Sequence, residues 1–356
     1  MPNTNPKSAD LTVLQDKATR LRIDSVRSTT AAGSGHPTSC ASSAEILAAL
    51  FYRVMRFDPR NPGSPDNDVF VLSKGHAAPV LYAAWAEAGA FPRERLLTLR
   101  KGDSDLEGHP TPRLPFVPAA TGSLGQGLSV GVGLALSLKH LEQSDARVYV
   151  LMGDGESAEG SVWEAAQWAS LHGLDNLCAI IDINRLGQSQ PTMLQYHLDT
   201  YKARWEAFGW QALTVDGHSL PELLAAYDTA ARTSGRPTIL LARTVKGKGL
   251  AGIEGLENWH GKVLDPATAD KVLHELEAQL TGAGDHWQPN LPPRRSPVKL
   301  PARQPVDNPP YAVGGKEIAT RKGFGDGLAA VGKADPAVVV LDGDVKNSTH
   351  TDEFEK

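Results

Sequence analysis

Two oxygen-bearing side chains follow two candidate buried strands. Asp154 lies in a Gly-Asp-Gly turn after the apolar run Val148–Met152, and Asn184 follows the apolar run Leu177–Ile183. In a parallel sheet both strands end at the same edge, where ligands bind. A carboxylate and an amide oxygen suit Mg²⁺, which usually shares its shell with phosphate oxygens. The spacing predicts a magnesium and diphosphate site, with Gly155 allowing close backbone approach; a tight turn with a structural aspartate is the alternative.

Four histidines lie in loops beside glycine, proline or tryptophan. Imidazoles in such loops can donate hydrogen bonds to hydroxyl and carbonyl groups and can exchange protons near neutral pH. A zinc site is one alternative, but the sequence has no HExxH motif and no close pairing of cysteine with histidine. An ordinary loop histidine is the other alternative for each of them. The four are His36, His76, His109 and His260.

Two further segments could bind a negatively charged ligand. Thr121–Gly127 is a glycine-rich turn into a candidate helix, but it lacks the Lys-Ser/Thr pair of a Walker loop. Close helix–helix packing through Gly127, Gly131 and Gly133 is the alternative for this segment. Lys246 lies in a Lys-Gly-Lys-Gly segment after a candidate strand, where it could meet a phosphate or be a solvated loop charge.

The elements that must position these residues alternate between strand-like and helix-like segments. Strands that are apolar throughout and separated by helices indicate a parallel sheet covered on both faces. The predicted fold class is therefore a doubly wound α/β domain over about residues 1–280. The candidate strands are Val69–Leu72, Val148–Met152, Leu177–Ile183, Ala212–Val215 and Thr238–Ala242, and candidate helices include Ser161–His172 and Leu220–Ala231.

A proline-rich segment interrupts this pattern. Residues 281–315 are predicted to form an extended linker, because closely spaced prolines exclude a regular element. A helix over Lys316–Val331 and a strand over Ala337–Leu341 are predicted to follow it. One helix and one strand cannot bury a core. We therefore expect residues 316–356 to be the start of a second, incomplete α/β domain.

Composition argues against several classes of protein. Apolar residues make up 41% of the 356 residues, enough for a sizeable core. With 36 Lys and Arg against 41 Asp and Glu, the net charge is −5, so no basic field attracts nucleic acid or an anionic membrane. Cys40 and Cys178 lie far apart, which favours a reducing compartment. No signal peptide or membrane-spanning run is expected, and the predicted location is the cytoplasm.

Taken together, these segments resemble transketolase, a family of thiamine-diphosphate enzymes, and in particular its animal-like branch. The resemblance runs from about Asp10 to the end of the chain. It implies transfer of a two-carbon ketol unit from a ketose phosphate to an aldose phosphate through thiamine diphosphate, in the pentose phosphate pathway. It rests on GSGHPTS (33–39), SKGHAAP (73–79), EGHP (107–110), ATGSLGQG (120–127), GDGESAEGSVWEA (153–165), DINRLGQS (182–189), VDGHS (215–219), KGKG (246–249), WHGK (259–262), IATRK (318–322) and LDGDVKNST (341–349).

The resemblance also implies roles for individual residues. The Mg²⁺ ligands would be Asp154, Asn184 and the carbonyl of Leu186. The cofactor contacts would be Ser39, His76, Gly122, Ser123, Leu124, Gly155, Asn184, Lys246 and His260. The catalytic histidines that meet sugar oxygens would be His36, His109 and His260, with Gln188 nearby, and the sugar phosphate would be bound by Arg321 and Ser348. The acidic residues at a dimer interface would be Glu159 and Glu164.

The family's activating glutamate and its aminopyrimidine pocket belong to a pyrimidine domain that residues 316–356 only begin. We therefore expect this chain alone to be inactive, and to act in a homodimer with the active site between subunits or with a complementary polypeptide. Two alternatives remain. One is another thiamine-diphosphate enzyme, either deoxyxylulose-phosphate synthase or a 2-oxoacid dehydrogenase component, although a dehydrogenase component would not need the sugar-reading set His36, His109, Arg321 and Ser348. The other is a catalytically silent cofactor-binding subunit.

Overall fold

The computed structural model describes residues 8–294, 298, 300–307, 311, 314–315 and 317–355. The chain divides into two compact units, Met1–Arg295 and Ser296–Lys356. The sequence-based boundaries at residues 280 and 315 remain predictions, and Lys316 itself lies outside the described residues. No helix in the described ranges has both the length and the apolar character needed to cross a membrane.

Five parallel strands form a sheet in the first unit. They are β1 (Val69–Leu72), β2 (Val148–Gly153), β3 (Leu177–Ile183), β4 (Gln211–Asp216) and β5 (Thr238–Arg243). Their spatial order is β1-β2-β3-β5-β4, and each neighbouring pair is parallel. All five predicted strands are therefore confirmed, each within one residue at either end.

Helices cover both faces of this sheet. In the first unit they are α1 (Ser8–Ala32), α2 (Pro37–Ser42), α3 (Ala44–Ala49), α4 (Ala78–Glu87), α5 (Gln126–Leu136), α6 (Gly160–Leu171), α7 (Leu198–Ala207), α8 (Leu220–Arg232) and α9 (Pro266–Glu277). One core joins the sheet to α1, α3, α4 and α8, and a second joins it to α5, α6 and α7. The predicted doubly wound α/β class is confirmed.

The strand order explains which face each helix covers. The chain moves in one direction along the sheet through β1, β2 and β3, and it moves back when it passes from β4 to β5. Since parallel crossovers are right-handed, α8 must lie on the opposite face from α6 and α7. Within β3, Cys178 and Ile180 point to the first core while Ala179 and Ile181 point to the second, which is why this strand is apolar throughout.

The second unit, taken by itself, contains α10 (Thr320–Ala334), α11 (Lys346–Thr349) and α12 (Asp352–Glu355). The predicted helix is therefore present, shifted a few residues along the chain. The predicted strand Ala337–Leu341 is wrong, because these residues are neither helical nor paired with another strand. A strand is stabilised by pairing, and the described residues of this unit offer no partner strand; Leu341 is 74% exposed.

Glycines in α5 allow the helix to approach the sheet. A Cβ added at Gly127 would lie 2.3 Å from Oγ of Ser73, just beyond β1, and one added at Gly131 would lie 2.4 Å from Cγ2 of Val150 in β2. A Cβ at Gly133 would meet no atom within 4 Å. Helix–helix packing through these glycines, the alternative considered for this segment, is therefore wrong: Gly127 and Gly131 pack against the end of β1 and against β2, and Gly133 faces open space.

We expect Gly127→Ala to lower the free energy of unfolding by about 1–3 kcal/mol, because the added methyl group overpacks a closely packed contact. Urea unfolding followed by circular dichroism measures the change. Gly133→Ala is the matched control in the same helix, and it should stabilise the protein by up to about 1 kcal/mol through helix propensity. Equal effects of the two substitutions would contradict the packing described for Gly127.

Candidate cofactor and substrate site

The carboxyl ends of β2 and β3 bring the predicted metal ligands together. Asp154 follows β2 directly and Asn184 follows β3, and Gly153 is paired with Asp182 across the two strands. The backbone N–H of Arg185 donates to Oδ2 of Asp154 at 2.7 Å. The aspartate and the turn after β3 are thus in direct contact, as the strand-end argument predicts.

Asp154 is a buried carboxylate with several hydrogen-bond donors. Its Oδ1 accepts from the N–H of Gly155 at 2.9 Å, and its Oδ2 accepts from Oγ1 of Thr192 at 3.0 Å as well as from Arg185. Burial, followed by the nearby charge of Asp182, raises the pKa of Asp154 to about 6 in spite of these donors. A bound divalent cation would favour the charged form. The Asp154 carboxylate is thus suitable as a metal ligand, and this role stays a prediction.

The turn after β3 presents an amide and a carbonyl beside this carboxylate. Oδ1 of Asn184 accepts from the N–H of Leu186 at 3.2 Å, and Arg185 adopts a left-handed backbone conformation with φ of 67°. The Leu186 carbonyl accepts from Nζ of Lys246 at 3.0 Å. One carboxylate, one amide oxygen and one backbone carbonyl are hard oxygen donors, and phosphate oxygens can complete the shell. The donor set fits Mg²⁺.

Lys246 is a buried cation at the same edge. It is 3% exposed, so the alternative of a solvated loop charge is wrong. Besides Leu186, its Nζ donates to the carbonyl of Gly187 at 3.3 Å and contacts Nδ1 of His260 at 2.9 Å. Burial lowers the pKa of Lys246 to about 8, against the opposing effect of Asp154. An anionic ligand would stabilise the charged form, as expected of a residue that binds a diphosphate.

Three of the four predicted histidines meet in a triangle. The ring centroids of His36 and His76 lie 5.0 Å apart, those of His36 and His260 4.9 Å, and those of His76 and His260 5.0 Å. The fourth, His109, packs on the glycine-rich turn, where a Cβ added at Gly122 would lie 2.7 Å from its ring. Among the described residues, no close group of three metal-ligating atoms includes these rings.

These imidazoles are held in the neutral form. Burial, and then the positive charges nearby, lower the pKa of His36 to about 4 and that of His260 to about 3. The pKa of His76 falls well below its usual value for the same reasons, and that of His109 is also lowered. A neutral imidazole has one donor and one acceptor nitrogen. The cluster can therefore hydrogen-bond to hydroxyl groups without adding charge at neutral pH.

The glycine-rich turn and the start of α2 complete the site. Gly122 has a φ of 136°, and a Cβ placed on Gly75 would lie 2.7 Å from the nitrogen of Gly122, so this turn rests on the one that carries His76. Ser123 and Leu124 are exposed at the tip of the turn. Ser39 is buried, and its carbonyl accepts from Nζ of Lys74 at 3.0 Å.

The remaining predicted residues are exposed. Gln188 lies beside the site, where it lines a small pocket together with Leu186, Lys246 and His260. Glu159 and Glu164 are exposed at the start of α6. The residues predicted to bind the sugar phosphate belong to the second unit: they are Arg321, exposed on α10, and Ser348, exposed on α11.

Sequence reasoning missed the buried charges beneath the site. Glu156 accepts from Oγ of Ser73 and from the N–H groups of Gly125 and Gly153, both at 3.0 Å, so one carboxylate joins the glycine-rich turn to the ends of β1 and β2. Asp182 forms a second buried cluster with Lys74. Each of these charged residues falls inside a motif that the resemblance rests on, and that is the signal that could have pointed to them.

A parallel α/β domain with oxygen donors and a buried lysine at the carboxyl ends of its strands is typical of cofactor-binding proteins. Comparisons with known proteins identify the family. Residues 13–279 match the family described as "Transketolase, thiamine diphosphate binding domain". The chain belongs to the transketolase family, as the sequence resemblance predicts.

Individual relatives agree with this assignment. The transketolase of Homo sapiens is 50% identical over 353 residues, which cover 99% of this chain and 56% of that protein. Transketolase-like protein 1 of Macaca fascicularis is 42% identical over 99% of this chain and 52% of its own length. The chain thus spans about half the length of the curated relatives it matches.

Solved structures show the same fold. Transketolase from Campylobacter jejuni superimposes with a TM-score of 0.80 at 28% identity, over 95% of this chain and 58% of that one. A Pichia stipitis transketolase in complex with sedoheptulose 7-phosphate gives a TM-score of 0.78 at 26% identity, over 96% of this chain and 57% of that one.

Proposed function

We propose that this chain supplies the diphosphate-binding half of a transketolase active site. In the complete enzyme, a two-carbon ketol unit would pass from a ketose phosphate to an aldose phosphate. The observation that carries the proposal is the convergence of Asp154, the turn at 184–186 and the buried Lys246 at one edge of the sheet. A carboxylate, neutral oxygens and a buried ammonium group together match a magnesium diphosphate.

Each group in the site has a task in this proposal. Asp154, Asn184 and the Leu186 carbonyl hold Mg²⁺, and Lys246 neutralises charge on the diphosphate. Thiamine diphosphate, when bound, supplies the electron sink for breaking and forming the bond beside the sugar carbonyl. Residues of four segments line the cofactor: Ser39 in α2, His76 in the turn after β1, Gly155 in the turn after β2, and Gly122, Ser123 and Leu124 in the glycine-rich turn.

The neutral histidines bind and orient the sugar. His36, His109 and His260 donate hydrogen bonds to sugar oxygens, and a neutral imidazole can also accept a proton from a hydroxyl group during the reaction. Arg321 and Ser348 bind the sugar phosphate, because a guanidinium fork matches phosphate oxygens in pairs. The Pichia stipitis transketolase solved with a sugar phosphate supports this class of substrate.

The proposal also extends to the assembly and its setting. Two copies pair with Glu159 and Glu164 at their interface, and the exposure of both side chains is compatible with such a contact. The remaining pyrimidine domain provides the activating glutamate. The complete enzyme serves the pentose phosphate pathway in the cytoplasm.

Two measurements test the proposed function. Calorimetry should show that the 356-residue chain binds thiamine diphosphate with MgCl₂ present and not with a chelator. When a polypeptide carrying the rest of the pyrimidine domain is added, in cis or separately, ketol transfer from xylulose 5-phosphate to ribose 5-phosphate should appear. Binding without transfer in the completed protein would favour a silent cofactor-binding subunit, and absence of binding would contradict the proposal.

A further inference from the structure

A buried ion pair lies beneath the site and has no task in the proposed function. The side chains of Lys74 and Asp182 are 2% and 0% exposed, and Nζ of Lys74 donates to Oδ2 of Asp182. Lys74 lies just beyond the end of β1, and Asp182 is the last but one residue of β3. The pair therefore joins two strand ends across the strand that lies between them.

Asp182 connects further segments. Its Oδ2 also accepts from Oγ of Ser42 at 2.6 Å and from Oγ of Ser43 at 3.2 Å, at the end of α2. Its Oδ1 accepts from Oγ1 of Thr244, directly after β5. One carboxylate thus touches the ends of β1 and β5 and the end of α2, in addition to its own strand.

The ammonium group of Lys74 also has an acceptor for each of its donors. An ammonium group has three N–H donors, and those of Lys74 are directed to Asp182, to the carbonyl of Ser39 at 3.0 Å and to Oγ of Ser43 at 2.5 Å. The pair therefore forms a closed hydrogen-bonded cluster. The members of this cluster lie close in sequence to residues assigned to the cofactor: Lys74 to His76, Ser42 and Ser43 to Ser39, Thr244 to Lys246, and Asp182 to Asn184.

A buried ion pair contributes little net stability, because desolvation of the two charges offsets their attraction, and apolar residues of similar size often stabilise a core as well or better. What the charged cluster provides instead is directed hydrogen bonds to four separate segments. Those four segments carry a Mg²⁺ ligand, the diphosphate lysine and two further cofactor contacts.

We propose that Asp182, paired with Lys74, is a positioning residue that holds the ends of β1, β3 and β5 and the helix α2 in the arrangement that binds the magnesium diphosphate. This inference rests on the proposed function, since Asp182 acts only through residues assigned to the cofactor. Groups that orient metal ligands typically affect metal affinity by about 10- to 100-fold, and this is the size of effect we expect.

The test replaces the pair by apolar side chains of similar size, as Lys74→Met with Asp182→Leu. The thermal midpoint should fall less than in either single variant, because the two buried charges leave together, although Ser42, Ser43 and Thr244 lose Asp182 as an acceptor. Amide hydrogen exchange should nevertheless accelerate at least tenfold at two reporters: the N–H of Thr244, bonded to the Ile183 carbonyl at 2.9 Å, and the N–H of Gly247, bonded to the Thr38 carbonyl at 2.9 Å. Affinity for thiamine diphosphate with Mg²⁺ should fall about 10- to 100-fold.

A second buried pair provides the matched control. Lys17 and Glu87 are each 4% exposed and join α1 to α4, and the ion pairs of Glu87 are with Lys17, Arg20 and Arg93, outside the four segments. Lys17→Met with Glu87→Gln removes this pair and leaves an acceptor for Arg20, which bonds Glu87 at 2.9 Å. Exchange at both reporters and cofactor affinity should remain at parent values in this control.

The outcomes separate the two hypotheses. A folded Lys74→Met, Asp182→Leu variant with parental exchange at both reporters and parental affinity would overturn the positioning role. If that variant does not fold, Thr244→Val removes only one hydrogen bond of Asp182, and faster exchange at Gly247 is then expected, while parental exchange there would overturn the proposal. Failure of the parent chain itself to bind the cofactor would contradict the proposed function, and the exchange data would still decide whether Asp182 positions these segments.

Discussion

Replacing Asp154 by asparagine is expected to abolish the Mg²⁺-dependent binding of thiamine diphosphate, with a loss of affinity of at least about 100-fold. Asp154 is the charged member of the proposed ligand set, and even groups that only orient a metal ligand change affinity by about 10- to 100-fold. Asparagine keeps the size of the side chain and an oxygen that can accept from Arg185 and Thr192, so the fold should survive.

Calorimetric titration with thiamine diphosphate, with MgCl₂ or with a chelator, measures this loss. Asp175→Asn is the matched control. Asp175 precedes β3, so it lies at the amino end of the strand, away from the site, and it pairs with Lys139 at 2.7 Å. The control should bind the cofactor like the parent. Parental affinity in Asp154→Asn would show that the metal lies elsewhere.

The second large effect concerns stability. We expect Glu45→Gln to lower the free energy of unfolding by about 3 kcal/mol at neutral pH, because the substitution leaves the buried guanidinium of Arg22 without its counter-charge. Glu45 bonds Arg22 at 2.6 Å and His218 at 2.9 Å, and His218 in turn accepts the N–H of Val245 at 2.9 Å. The carboxylate thus ties α1 and α3 to the loops after β4 and β5.

The pH dependence of this effect has a defined sign. Burial opposes ionisation of Glu45, but Arg22 and His218 outweigh it and lower its pKa to about 2, from 4.5 for the free group. A depressed carboxyl pKa stabilises the fold above the unfolded-state value and loses that contribution as pH falls towards the folded-state value. More than half of the contribution, about 2 kcal/mol, should disappear between about pH 5 and about pH 3.

Urea unfolding of the parent and of Glu45→Gln at several pH values tests this prediction. The difference between their free energies of unfolding should become smaller in acid. Glu206→Gln is the control, because Glu206 forms an exposed pair with Lys202 at 3.8 Å. Exposed pairs of this kind contribute about 0.3–0.5 kcal/mol. If the difference in free energy of unfolding stays constant from neutral to acid pH, the Glu45 carboxylate is not the source of this stability.

Much of the fold could be predicted because its strands carry their own signal. All seven residues of β3 are buried, and helices on both faces require an apolar side chain at nearly every position. The run Val338–Val340 has the same appearance but forms no strand, because pairing depends on a neighbour that composition does not reveal. The glycines of α5 are a similar case, since Gly133 lies off the face that Gly127 and Gly131 share at a spacing of four residues.

Some contacts of the candidate site could also be predicted from the sequence, and others could not. Asp154 and Asn184 could be predicted to meet because each follows a strand directly. The histidine triangle could not, because its rings come from separate loops whose distance depends on strand order. The buried carboxylates were missed for another reason: acidic residues are seldom buried, and their partners lie far away in sequence, as with Ser42 and Asp182, which are 140 positions apart.

The strand order also determines when each strand can find its neighbours during translation. β5 is the last strand of the sheet to be synthesised, yet it lies between β3 and β4. While a ribosome is still translating towards Thr238, the nascent chain has one edge of β3 unpaired, and an unpaired strand edge invites association with other chains. At about 5–20 residues per second, this interval lasts several seconds. Between the synthesis of β3 and that of β5, the chain therefore exposes a central strand that the finished sheet pairs on both sides.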